Sequence, residues 1–478
     1  MKLYNTLTKK TDDMLPLDGK SIRIYSCGPT VYDHSHIGNL GSFIFADTLR
    51  RTVAANGVKA RHVMNFTDID DKTIRRAQEN YGDLEPMAAL IKLTEEYGRI
   101  FMADMKAVGN DVTAMTFTKA TEHIDQMQGL IRELHEGGFA YVADDGVYFS
   151  IKAYKKSGKK YGQLSEVTVS STSQARISND EYDKESAHDF ALWKKQKPAE
   201  PAWDFELAGH DLRGRPGWHI ECSVMSSGEL GQPFDIHTGG VDLTFPHHEN
   251  EIAQSTAGHD DPLYAKLFAH NEHLLVDGRK MSKSLGNIYT LKDIQEKGFD
   301  PLAFRLLVLQ AHYRSQAHFS WENLEAAQNR LQDLRALAAL RWQPRKVAHD
   351  SGTEALRDIP DELAAILADD LDTPRALAYL SRVSAQLLAV HIEEDMVDHF
   401  VAMLQGVDAL LGLGLLDVKD ITSGQKKLIA EREAARADKD WKRSDEIRDE
   451  LASQGVGLSD HPHGVIWFPL GPSRPVQK

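Results

Sequence analysis

Only two of the 478 residues are cysteine, Cys27 and Cys222, so a secreted disulfide framework is excluded. Taken alone, each is a buried thiol acting as a small apolar group. Long apolar runs are missing as well. No stretch approaches the ~18 residues of a membrane span, and the opening MKLYNTLTKKTDD turns polar at once with no apolar signal core. The chain is therefore expected to be cytoplasmic, without a membrane partner. There is no excess of positive charge: the balance is −15, which argues against a nucleic-acid partner, although a total leaves room for a local basic face. Internal repeats and low-complexity tracts are also absent.

What is present is ordinary in bulk. Hydrophobic residues make up 41% and charged residues 27%, as in soluble globular proteins, and the length predicts two to four domains. SIRIYSC (21–27) reads as a buried strand. The loop GPTVYDHSHIG follows, then an amphipathic helix, SFIFADTLRRTVAANG, and a second strand, VKARHVMNF. Strand, glycine-bearing loop, helix, strand begins a Rossmann-type parallel α/β sheet. Helices are expected over 86–107 and 117–136, and a hairpin turning at Asp144, Asp145 and Gly146. Residues 155–200 are polar and read as an exposed insertion, after which GWHIECSV and FDIHTGG resume the sheet as strands. Beyond about 320 the pattern is helical: Leu324, Leu331, Leu334 and Ala338 share a face, and Pro374 suits a first helical turn. From about 421 the chain reads as helix and then a strand pair near VIWFPL. The expected fold is thus α/β: a Rossmann-type catalytic domain in two halves (1–120 and 216–320) around an inserted region (121–215), then a helical bundle (321–420) and a small C-terminal α/β region (421–478).

Two motifs carry nucleotide chemistry. His36-Ile37-Gly38-Asn39 opens the first helix. A helix N-terminus suits phosphate, Gly38 allows close approach, and His36 and Asn39 can donate to phosphate oxygens. Four residues are also simply a common turn. Lys280-Met281-Ser282-Lys283-Ser284 lies in the glycine-bracketed loop DGRKMSKSLGN. Its lysines can swing onto a polyphosphate and stabilise leaving pyrophosphate; the plain alternative is a solvated basic turn. In this order the pair resembles the HIGH-like and KMSKS motifs of the class I aminoacyl-tRNA synthetases, with Asn39 in place of the last histidine.

CGPTVYDHSHIGN at Cys27, GRPGWHIECS around Cys222 and FPHHENEIAQS with His247 and Glu251 make the resemblance specific to cysteinyl-tRNA synthetases. LYNTLT, NFTDIDDK, GGVDL, DDLDTP and ADKDWKRSDEIRDEL extend it over essentially the whole chain. The resemblance implies ATP with Mg²⁺, L-cysteine and the tRNA for cysteine as substrates, a monomer, and one Zn²⁺ on Cys27, Cys222, His247 and Glu251. His247 and Glu251 are four apart, sharing a helix face, and Cys27 and Cys222 are expected at the C-terminal ends of two strands, where ligands gather. A zinc-protease motif is excluded by Ile252, where its second histidine belongs. Zinc suits the task because serine, the isosteric competitor, is separated poorly by ordinary contacts, whereas a thiolate is the better zinc ligand. Four protein ligands is also the pattern of a structural zinc, and Glu251 is the ligand expected to loosen when cysteine enters. The resemblance further places Thr67, Trp218 and His237 around the amino acid, Trp218 packing on it and Thr67 and His237 supporting its ammonium or the metal site. It places Asp242 on the ribose of ATP, and Arg436, Trp441, Asp445 and Asp460 on the anticodon, with the first three of these along one helix. Residues 165–215 follow the family pattern poorly, and Leu40-Gly41-Ser42 departs from it after the first motif. Two other readings compete: a ligase joining cysteine to an amino sugar, which would lack the C-terminal region, and a non-catalytic synthetase-like RNA-binding protein, which would have lost part of the catalytic set.

Overall fold

In the computed structural model, residues 1–165, 176–177, 188–257, 263–282, 285–344, 353–389, 392–461 and 464–470 are described. A five-stranded parallel sheet lies at the centre, in the order Ala265–Asn271, Phe234–Gly240, Ser21–Ser26, Lys59–Phe66, Met115–Lys119. Strand order reverses between Ser21–Ser26 and Phe234–Gly240. In open α/β sheets such a switch point, at the carboxyl ends of the strands, is the ligand crevice. The helix Ile37–Ala55 crosses one face and buries Leu40, Phe43, Ile44 and Leu49.

Three expectations fail here. Residues 117–136 are not one helix: Met115–Lys119 is the sheet's edge strand, with its helix beginning only at Ile124. GWHIECSV is not a strand: Trp218–Leu230 is helical. Its residues from His219 to Ser226 are all buried, and a helix buried on every side lacks the one-sided apolar stripe that identifies helices in a sequence. The stretch 155–200 is not uniformly exposed either. Asp189–Lys195 is a strand with Phe190, Ala191, Leu192 and Trp193 buried. It pairs antiparallel with Gly146–Phe149 and Gly214–Pro216 and parallel with Arg176–Ile177, in a second sheet that also holds the strand Ala140–Ala143, antiparallel to Gly146–Phe149. VSSTSQ and NDEYDKES fall outside the described residues.

The helical part follows as expected. Trp321–Ala339 buries Leu324, Leu331, Leu334 and Ala338, and Thr373–Ala389 begins with Pro374 in its first turn. A buried charge cluster ties this part to the helix that follows the His36 loop. Asp47 receives Arg305 Nη2 at 2.7 Å and Arg51 Nε at 2.6 Å, while Arg305 Nε reaches the Leu411 carbonyl at 2.5 Å. Burial pushes the Asp47 carboxyl up, but Arg305, Arg51 and Arg50 outweigh it and hold it well below the carboxylate range. Near the C-terminus two helices, Ser423–Ala437 and Trp441–Ser453, precede the antiparallel pair Val456–His461 and Gly464–Pro469. Arg436 is therefore not on the helix of Trp441 and Asp445. Lys439 takes a left-handed φ of 62°, and the Asp440 carboxylate caps the second helix by accepting from Arg443 N at 3.0 Å, ending one helix and starting the next.

Candidate metal and nucleotide site

Cys27 directly follows the strand Ser21–Ser26, and its N–H donates to the Thr238 carbonyl of the neighbouring strand at 3.2 Å, which fixes the thiol at the switch point. Cys222 arrives from the second turn of the helix Trp218–Leu230 rather than from a strand end. His247 stands in the wound turn Thr244–His248, and Glu251 in the first turn of the helix Glu249–Ala257. Ligand atoms of these four residues lie within 4.8 Å of one another. The sulfurs are 3.8 Å apart, Cys27 Sγ is 3.8 Å from Glu251 Oε1, and His247 Nε2 is 2.8 Å from the same oxygen. Two thiolates on one tetrahedral zinc, each at about 2.3 Å, stand about 3.8 Å apart, so the donor set and the sulfur spacing both fit that ion.

The electrostatics of the cluster agree. A hydrogen bond from Cys27 pulls the Cys222 thiol down to about 6 against its burial, while burial and the Cys222 sulfur drive the Cys27 thiol up. Burial pushes the His247 imidazole down, but Glu251 and Cys222 outweigh it and raise it to about 10. Two thiols, an imidazole and a carboxylate packed this closely and buried make an environment that suits a bound metal ion.

The residues behind these four are equally ordered. His237 Nε2 lies 2.6 Å from Glu251 Oε2, and Tyr264 donates to that oxygen at 3.0 Å. His247 Nδ1 is 2.8 Å from His219 Nδ1, and the Trp218 ring stacks on His247 with centroids 4.3 Å apart. Trp218 and His237 thus sit against the proposed ligands.

The nucleotide motifs meet over the same crevice. His36 is the N-cap of its helix, and its Nδ1 accepts from Asn39 N at 3.2 Å. That leaves Nε2 carrying the proton and free to donate outward, the tautomer a phosphate oxygen requires. A Cβ on Gly38 would stand 2.4 Å from Met281 Cε, so the second motif lies directly on the first. Asn287 closes the Lys280 loop: its Nδ2 donates to the Lys280 carbonyl at 3.1 Å and its Oδ1 accepts from Ser282 N at 2.9 Å. Lys280 and Asp242 are exposed, and Asp242 acts on His36, partly offsetting the lowering that burial imposes on that imidazole. Lys283 lies outside the described residues.

A family model described as tRNA synthetases class I (C) catalytic domain matches residues 13–329, and one described as Cysteinyl-tRNA ligase anticodon binding domain matches residues 418–467. A curated relative from Chlamydia muridarum (strain MoPn / Nigg), named Cysteine--tRNA ligase, is 38% identical, over 97% of this chain and 98% of that protein. The chain belongs to the cysteine--tRNA ligase family. A relative of the same name from Brachyspira hyodysenteriae (strain ATCC 49526 / WA1) is 36% identical over 97% of this chain and 98% of its own length. The fold extends further. Methionyl-tRNA synthetase of Mycobacterium tuberculosis, solved in complex with methionyl-adenylate, superimposes with a TM-score of 0.58 at 14% identity, over 85% of this chain and 95% of that one. A leucyl-tRNA synthetase (LeuRS) from Agrobacterium radiobacter K84 gives 0.59 at 11% identity, over 84% of each chain.

Within this family member Asn65 is among the site residues that carry no signal of their own in the sequence. Asn65, in NFTDIDDK, is 1% exposed. Its Oδ1 accepts from Gly28 N at 2.8 Å and lies 3.8 Å from Cys222 Sγ, while its Nδ2 donates to Thr67 Oγ1 at 3.1 Å. One amide thus joins the Cys27 loop, the second thiol and the expected substrate-pocket hydroxyl. Outer-layer partners of this kind typically carry 10–100-fold effects. Asn65→Ala is expected to weaken zinc retention and raise the KM for cysteine about 10-fold or more, with the KM for ATP changed far less. Equal rises in both KM values would show a general loss of structure instead.

The expected anticodon residues gather only in part. Trp441 is 57% exposed and so is not core; the Arg436 guanidinium sits 5.6 Å from its ring centroid. Asp460 is not a free acceptor: it receives Arg432 at 2.8 and 2.9 Å and Arg436 at 3.2 Å. Asp445 pairs with Arg448.

Proposed function

We propose that this chain activates L-cysteine with ATP and joins it to the 3′ end of its tRNA. The observation that carries this reading is the convergence of Cys27, Cys222, His247 and Glu251 beside the His36 loop, in a chain that resembles cysteine--tRNA ligases from end to end. The reaction has two transfers. The cysteine carboxylate attacks the α-phosphorus of Mg²⁺-bound ATP and pyrophosphate leaves; the terminal ribose hydroxyl of tRNA then attacks the carbonyl carbon and AMP leaves.

Cys27, Cys222, His247 and Glu251 would hold Zn²⁺, which would supply the contact that favours a thiolate over an alcohol. Around it, Trp218 walls the pocket, and Thr67 and His237 orient the amino acid. His36 donates from Nε2 to phosphate oxygen, Asn39 and Gly38 line the helix N-terminus that receives the triphosphate, and Asp242 accepts from the ribose. Lys280 and Lys283 bear on the leaving pyrophosphate. Residues 1–120 and 216–320 form the catalytic body in this reading, with 121–215 inserted and 321–420 as the bundle that carries the anticodon region 421–478. There Trp441 stacks on an unpaired base, and Arg436, Asp445 and Asp460 form the polar surface around it. We take the protein to act as a monomer in the cytoplasm; among the described residues no helix is long and apolar enough to cross a membrane.

Radiolabelled cysteine offered together with tRNA and an amino sugar should appear on tRNA; label on the sugar would refute the reading. Within it, Lys283→Ala should lower the kcat and kcat/KM of adenylate formation alike, because a contact made only in the transition state moves both. A loss on the order of 10²-fold is expected. Single-turnover formation of cysteinyl-adenylate measures it, and a wild-type rate would exclude this role.

A further inference from the structure

The buried cluster at the switch point holds more donors than one ion uses. Cys27, His237, His248 and Glu251 form a second set, its four ligand atoms also within 4.8 Å of one another. The two sets share Cys27 and Glu251 but engage Glu251 through different atoms. Oε1 faces His247 Nε2 at 2.8 Å and Oε2 faces His237 Nε2 at 2.6 Å. The Cys27 sulfur faces both sides, 3.8 Å from Cys222 Sγ and 3.4 Å from His248 Nε2. His237, His248 and Glu251 are fully buried.

We propose that this chain holds a second borderline divalent cation, Zn²⁺ or Co²⁺, between Cys27, His237, His248 and Glu251, with the Cys27 thiolate and the Glu251 carboxylate bridging to the ion at Cys222 and His247. The proposal rests on the reading that places the first ion there. Each ion then has four protein donors, the usual number for zinc. Two-ion sites set their ions about 3.5–4 Å apart, a span that the two oxygens of one carboxylate bridge. For a sulfur and a nitrogen on one tetrahedral zinc the edge is about 3.6 Å, close to the Cys27–His248 separation.

The imidazoles are already turned for this. His248 Nδ1 lies 2.8 Å from His270 Nε2, and His270 Nδ1 lies 2.8 Å from Thr6 Oγ1. His237 Nδ1 faces the Tyr25 carbonyl at 3.3 Å. A carbonyl only accepts, so His237 carries a proton on Nδ1 when it makes that bond. The His270–Thr6 chain can likewise hold the His248 proton on Nδ1. Both Nε2 atoms then offer lone pairs inward, the orientation that outer partners impose on metal-binding histidines. The proton now shared between His237 Nε2 and Glu251 Oε2 leaves to solvent as the ion enters, and the 2.6 Å contact opens by less than about 1 Å to a tetrahedral edge. Since His237 also borders the place proposed for cysteine, the second ion and cysteine compete for one corner, so metal excess inhibits.

The test is a Co²⁺ titration of the metal-stripped full-length protein, read by thiolate-to-cobalt charge-transfer absorption and by metal analysis after equilibrium dialysis. Two equivalents are expected, the second at least 10-fold weaker. His237→Gln and His248→Gln should each lose the second equivalent and keep the first, whose retention shows that the variant is folded. Inhibition of adenylate formation by raised, buffered free Zn²⁺ should also disappear in His248→Gln. One equivalent in the unaltered protein, abolished by Cys222→Ser, would overturn the second site and leave the first standing. No bound metal at all would remove both. A second equivalent that persists in both histidine variants would place it elsewhere and refute the proposal.

Discussion

Cys222→Ser is expected to lose its metal and, with it, the activation of cysteine. The exchange keeps side-chain volume and leaves the helix Trp218–Leu230 intact, so the chain should still fold. It replaces a sulfur 3.8 Å from its partner thiol with a neutral alcohol, which is a poor zinc ligand at neutral pH. The cost at the remaining donors is large because they are buried: Cys222 is 1% exposed and Glu251 0%. Without the ion, the Glu251 carboxylate and the Cys27 sulfur face each other with one fewer compensating partner. Outer partners of a metal typically carry 10–100-fold effects, and a direct ligand should exceed them, at on the order of 10³-fold in cysteine-dependent ATP–pyrophosphate exchange. Zinc content and exchange rate should fall together. Full zinc with an ordinary KM for cysteine would show that Cys222 is not a ligand.

The parts of this site that were legible in the sequence are those whose spacing is local. Glu251 follows His247 by one helical turn, and Cys27 sits nine residues before His36 on the same loop. Cys222 reads as the end of a strand, whereas it lies in the helix Trp218–Leu230, because a helix buried on all sides shows no stripe. Asn65, His248, His270 and Tyr264 carry no such local mark. Contacts such as that of His248 with Cys27, or of Asn65 with Cys222, join residues far apart in sequence, and nothing in a single sequence marks which buried polar residue will face a thiol. The fold shows the same division. The first strand–helix–strand unit and the late helices could be read from their periodicity. The break between Arg436 and Trp441 is hard to read because it depends on Lys439 in a left-handed conformation that glycine normally supplies. Asp440 before Trp441 was the readable sign, a capping residue at the start of a new helix.

Removal of residues 421–478 is expected to separate the two half-reactions, leaving cysteinyl-adenylate formation while tRNA charging falls by about 10³-fold or more, since anchoring and anticodon discrimination are lost together. The catalytic crevice draws none of its donors from this region, whose described part instead packs onto the helical bundle. Gln343 brackets Trp467 through two bonds of 2.9 Å, one to its carbonyl and one from its N–H. Ile447, Leu451, Val456 and Ile466 belong to the same buried cluster as the bundle leucines. Truncation therefore uncovers apolar surface, and a poorer charging rate alone would not distinguish lost recognition from lost stability. Trp441→Ala makes that distinction. Its ring is 57% exposed and contributes little to the core, so its removal should leave the folded state unchanged. If it stacks on a base, its loss should cost about 1–3 kcal/mol of tRNA binding, a 5–150-fold fall in kcat/KM for tRNA by the usual conversion of about 1.4 kcal/mol per tenfold, with ATP–pyrophosphate exchange unaltered. Anticodon-swapped tRNA should then be discriminated less sharply by Trp441→Ala than by the unaltered protein. If charging and discrimination stay at the unaltered level in Trp441→Ala while truncation abolishes charging, the region supports the bundle rather than reading the anticodon through this ring.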